Sequence, residues 1–315
     1  MSPTTTTKPR TTAAKPRTKK LVADPEPVSM PEPEPAVVPA PAPSGSNPAS
    51  YLVTSAKRAA RTTALGLVGF AVLVAVWAFG SAKVPNLPPP GETFTKLKDL
   101  LSDPFFDRGP DDKGVGVRMF NSLQRVFTGF GLAIAVGVPV GLAIGASKAA
   151  WRMFNPVIQL LRPVSPLAWF PIWLVVFSDS GRAAIWVIFI TSLWPTVLST
   201  AAAASSIPSD QRAVARVFKF GKVAYLRHVL VPNSLPSIVT GMRVSMGIAW
   251  MVIVAVEMLA TGGGGGIGTY VWEQYNALNL SSMIAAIVLI GVVGFALDLA
   301  FLRLAKAVAI EEPAP

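Results

Sequence analysis

Four stretches of this chain run for membrane length without one charged side chain: Thr62–Ala82, Val126–Ser147, Ala183–Ser209 and Gln274–Leu297. A helix that crosses a bilayer needs about 20 mostly apolar residues, because lipid offers the backbone no hydrogen-bond partner. Two further runs carry charge near one end. Residues 155–178 include Arg162, and residues 236–260 include Arg243 and Glu257. The pattern predicts an all-α, polytopic membrane protein with about six transmembrane helices. Run 155–178 also holds Pro156, Pro163, Pro166 and Pro171, which bend or break a helix. A broken helix survives at membrane depth only where protein or a watery path satisfies its backbone. The composition agrees: 51% of residues are hydrophobic and 14% charged, against about 25% charged in soluble domains.

The chain divides unevenly. Residues 1–50 are dense in proline, threonine and alanine and begin with Lys8, Arg10, Lys15, Arg17, Lys19 and Lys20. Such a segment cannot bury enough apolar surface to offset its ordering entropy, so a disordered basic tail is expected. It lacks the short apolar run of a signal peptide. Residues 51–125 read as a first membrane helix followed by an external amphipathic segment, with Phe94, Leu97, Leu100 and Leu101 at helical spacing. Residues 126–306 read as the core, with a loop at 210–235, and residues 307–315 as a short tail. Lys57, Arg58, Arg61, Lys148, Arg152, Arg212, Arg216, Lys219, Lys222, Arg227, Arg303 and Lys306 fall on one side if the N-terminus is inside. The positive-inside rule therefore places both termini in the cytoplasm. The net charge of +11 is read as membrane-flanking and lipid-facing, without a nucleic-acid partner.

Several chemistries are excluded. With no cysteine and one histidine, His228, the chain has no disulfide, no thiolate metal site and no multi-histidine site. It needs no cofactor of its own and shows no nucleophile–base pair, so it is not expected to be an enzyme. The phosphate-loop pattern G-x-x-x-x-G-K-[ST] is absent, since Gly221-Lys222 is followed by Val223. The glycines Gly262 to Gly266 are read as a sharp, flexible turn. Loop 210–235 mixes Ala213, Ala215, Val217, Phe218, Tyr225 and Val229 with five basic residues. It reads as an amphipathic helix, 211–231, that rests on the membrane or is presented to a cytoplasmic partner.

This loop resembles the coupling loop of binding-protein-dependent ABC importer permeases, whose pattern is E-A-A-x3-G-x9-I-x-L-P. The pattern falls on Ala213, Val214, Ala215, Lys219, Val229, Val231 and Pro232, with alanine for the Glu and lysine for the Gly. Surrounding stretches resemble the nitrate-type branch: Pro104–Asp107 with Asp112–Gly114, Ser122–Val126, Leu161–Trp169, Val187–Thr191, Gly247–Trp250, Glu257–Leu259, Gly266–Gly268 and Gly291–Gly294. The resemblance implies the type I importer permease fold in a bacterial inner membrane. It implies a pore formed with a second copy of the chain and two ABC ATPase subunits, identical or different, that carry ATP and Mg. It also implies an extracytoplasmic anion-binding protein. Val217, Phe218, Lys219 and Tyr225 join the motif residues as the expected coupling contacts, with Phe218 and Tyr225 as anchors.

Nitrate is the cargo the resemblance favours, with nitrite possible. Bicarbonate is the alternative, and a sulfonate or other organic anion comes third. An anion path needs donors and positive potential. Arg162, Ser165, Trp169, Phe170 and Arg243 are therefore path or gate candidates, each with a plainer reading as snorkelling, ion-paired or packing residues. Glu257 repels anions and is expected to pair structurally, with a gate role as the lesser reading. A secondary transporter fits poorly, because deep ionisable residues and internal repeats are not seen.

Overall fold

The computed structural model describes residues 48–109, 112–260 and 265–310, and every regular element among them is a helix. The tail expected at 1–50 lies almost wholly outside these residues, as do residues 311–315 and most of the glycine run. The chain divides into a unit of residues 1–65 and a unit of residues 66–315. The described part of the first unit belongs to helix α1, Pro48–Lys83. In the second unit, Leu67, Phe70, Leu73 and Phe79 of α1 stay exposed, as lipid-facing side chains would. The end of α1 is tied down by Trp77, whose Nε1 donates to the Pro88 carbonyl at 3.2 Å.

Helix α2 spans Pro90–Ser102, within the segment read as amphipathic, but the residues at helical spacing do not share one face. Thr93 is buried and Leu100 packs on the Ile267–Ala286 cluster, while Phe94 and Leu101 face outward. Three long helices then make the core: α3 at Val115–Gly145, α6 at Ser180–Ser205 and α9 at Val231–Leu259. Val126 and Phe130 of α3, Val187 and Ile188 of α6, and Met246, Ala249 and Ile253 of α9 form one apolar cluster. α3 and α6 approach so closely that a Cβ on Gly141 would sit 2.6 Å from the Thr200 Cβ, and one on Gly145 2.4 Å from the Ala201 carbonyl oxygen. Small residues spaced by four are the means by which membrane helices pack without a hydrophobic drive.

Boundaries differ from the uncharged runs in two places. α3 starts at Val115 rather than Val126, because Arg118 and Arg125 in its first turns meet carboxylates. The run at 274–297 is two helices, α10 at Ile267–Asn276 and α11 at Leu280–Ile310. Leu278 breaks it with φ of 56°. Among the described residues, five helices are long and apolar enough to cross a membrane. α4, Lys148–Leu161, and α5, Pro166–Phe177, are together apolar enough for a sixth span but meet at 87°, the geometry of a broken span or a re-entrant loop. The prolines supply the cause: Pro163 and Pro166 cannot donate, and each disfavours a helical residue before it.

Candidate functional site

Loop 210–235 does not fold as one helix. α7, Ser209–Val217, and α8, Lys222–Tyr225, are separate, joined by a turn through Phe218–Gly221. At the turn Lys219 takes φ of 51°, a left-handed conformation that favours glycine. This is the position where the coupling pattern carries its glycine. α8 then runs into α9 through a widened π-helical turn, Leu226–Leu230. The turn lies where the ring of Pro232 would otherwise press on the His228 carbonyl, four residues back.

The expected coupling residues split between two faces. Val214, Val217 and Phe218 are exposed, the last at 70%, and Val223 joins them at 77%. Ala213 and Lys219 are also exposed, and Ala215 is buried. Tyr225 is half-buried, where a bare anchor was expected. It packs with Val229 and Val231 against Leu142, Ile207, Leu230 and Ile238 and also lines the open cavity beside α7. Pro232 stays exposed at the start of α9.

The path candidates do not share one site. Arg162 caps α4 at the 87° bend and lines a cavity of about 320 Å³ with Trp169, Thr191, Trp194 and Met251. Arg162 has no ion pair among the described residues. Ser165 is exposed at the start of α5. Phe170 is 4% exposed and belongs to the core. Arg243 lies away from the cavity. Its Nε and Nη2 each donate to Asp298 of α11 at 2.7 Å, the two-pronged pairing that guanidinium and carboxylate favour.

Glu257 is 1% exposed at the opposite end of α9. It accepts from Arg125 Nη1 at 2.7 Å, from the Ser122 hydroxyl at 2.8 Å and from the Gly268 N–H at 3.1 Å. Ser122 in turn accepts the Ile267 N–H at 3.0 Å. A Cβ on Gly266 would fall 2.1 Å from the Glu257 carboxyl carbon, so glycine is required there for the backbone to approach. Glu257 thus ties α3, α9 and α10 together beside the glycine run, as a paired carboxylate.

Residues 121–310 match the family described as the binding-protein-dependent transport system inner membrane component. The chain belongs to this family. The permease is 43% identical over 239 residues to the nitrate import permease protein NrtB of Synechocystis sp., covering 75% of this chain and 86% of the relative. It is 40% identical over 235 residues to the bicarbonate transport system permease protein CmpB of Synechococcus elongatus, covering 74% and 84%. A bacterial ABC transporter involved in importing the polysaccharide alginate has the same fold, with TM-score 0.53 and 13% identity over 82% of this chain and 99% of that one. The permease is therefore a multi-pass membrane subunit of an ABC importer. Sequence reasoning about it overlooked Ser122, Arg125 and Asp298. Each acts through a partner far away in sequence, although Ser122 and Arg125 sit inside one of the stretches that carried the family resemblance.

Proposed function

We propose that this permease imports nitrate. Two copies form the pore, two ATPase subunits bind the face of α7 and α8, and an extracytoplasmic protein delivers the anion. The exposed Val214, Val217, Phe218 and Val223 carry the coupling part of the reading. A polar membrane boundary leaves so many apolar side chains bare only where a partner covers them. Both termini are cytoplasmic in this arrangement, following the basic residues. The chain serves as conduit and lever, and ATP with Mg is used on the partner subunits.

Arg162 is the residue proposed to attract the anion. It stands at a broken helix, the kind of place where a watery path keeps the backbone satisfied. Trp169 and Trp194 give the cavity flat apolar walls that suit a weakly hydrated planar anion. Arg243, held by Asp298, acts in the packing of α9 on α11, and Glu257 acts as a clasp. Bicarbonate is a second reading, because the relatives named for the two anions are nearly equally similar. Uptake of labelled nitrate and bicarbonate by cells with and without the gene, at low external anion, separates the two. Loss of nitrate uptake alone is expected; loss of bicarbonate uptake alone would overturn the cargo and keep the permease.

A further inference from the structure

Another cavity is larger than the one beside Arg162. About 1040 Å³ opens between α7, α8 and the ends of the membrane helices. Lys148, Arg212, Arg216, Lys219 and Lys222 line it, and no acidic side chain does. Its floor is made by the residue that caps α3, Ala146, the first residue of α4 and the last residue of α6, Ser205. Two membrane-length helices, α3 and α6, thus end at its rim and α4 begins there, the level at which lipid headgroups meet such helix ends. Arg212 is the best-fixed cation: its Nη2 donates to the Ser205 carbonyl at 2.7 Å. Its Nε is buried with no hydrogen-bond partner. A buried guanidinium N–H left unmatched costs free energy unless something accepts from it. Arg212 also borders a second cavity of about 290 Å³, which adds Arg152.

We infer that this basic cavity binds the phosphate of an anionic phospholipid headgroup. Five cations without a carboxylate select a phosphodiester over the zwitterionic choline headgroup, whose own ammonium they repel. Basic pockets between membrane helices at the headgroup level recognise anionic lipid in this way. A free phosphate ion offers the same chemistry, but the position at the ends of two membrane-length helices favours the lipid. The site lies apart from the Arg162 cavity and does not depend on which anion is transported.

The full chain, purified with its accompanying subunits, is equilibrated in mixed micelles of phosphatidylcholine and phosphatidylglycerol, and bound lipid is counted by mass spectrometry. Phosphatidylglycerol is expected to be retained over phosphatidylcholine. At about fivefold per charge at low salt, Lys148→Gln/Arg216→Gln/Lys222→Gln should weaken its retention by roughly a hundredfold, and Lys148→Gln alone, if the triple variant fails to fold, by about fivefold. Arg227→Gln/Arg303→Gln/Lys306→Gln removes equal charge outside the cavity and should leave retention within about twofold. Retention that survives about 10 mM inorganic phosphate supports the lipid. Displacement by phosphate, with phosphate raising the melting temperature of the wild type only, assigns the same site to the free ion and overturns the lipid. Equal losses in the two triple variants, or none in either, would overturn the site altogether.

Discussion

Glu257 shows how much one carboxylate can organise in a membrane protein. It is buried and held by Arg125, Ser122 and the Gly268 N–H, and those partners come from two other helices. Removing one member of a buried ion pair costs about 3–5 kcal/mol, because the other charge is left without compensation. Glu257→Ala should therefore lower stability by about that much in detergent melts, and the paired Glu257→Leu/Arg125→Leu variant should recover most of it. A double-mutant cycle with no coupling between the two positions would contradict the clasp. At this scale the sequence was half legible. An acid within an expected anion permease predicted pairing, yet nothing in the spacing named Ser122 or Arg125 as its partners, because they lie more than a hundred positions away. Lys219 is the opposite case: the pattern predicted a glycine there, and the left-handed backbone shows the geometric reason even though the residue is lysine.

The elements follow from charge and proline more than from hydropathy alone. Four uncharged runs and the lightly charged run 236–260 located five apolar helices, and the proline cluster located the bend between α4 and α5. They misplaced the start of α3 because an arginine reads as a helix end until its carboxylate is known. They fused α10 with α11 because an uncharged turn looks the same as membrane. The close contact of α3 with α6 depends on glycines that composition could register but not pair. Gly141→Leu should separate the two helices and cut the amount of protein in the membrane several-fold, measured by immunoblot of membrane fractions; normal levels would contradict the packing. The broken coupling segment makes a sharper distinction. Phe218→Asp on the exposed turn should leave membrane levels intact while nitrate uptake falls by at least about tenfold. Tyr225→Asp, which puts a charge into the packed face, should lower membrane levels as well. Equal behaviour of the two variants would contradict the assignment of faces.

For the whole molecule, the helical architecture and the family were readable from the chain because both rest on local patterns that repeat along it. The partners that organise its two ends were not. The Glu257 clasp lies at one end, the bare apolar turn and the basic cavity at the other, and the antiparallel α3 and α9 run between them. This layout fits the proposed subunit that is pushed at one end and opened at the other. The most direct measurement is transport by the purified importer in proteoliposomes, with ATP on the α7–α8 side and the anion-binding protein on the other. The account predicts nitrate accumulation that needs both, and loses coupling to ATP hydrolysis with Phe218→Asp. Nitrate movement that is indifferent to ATP would contradict it.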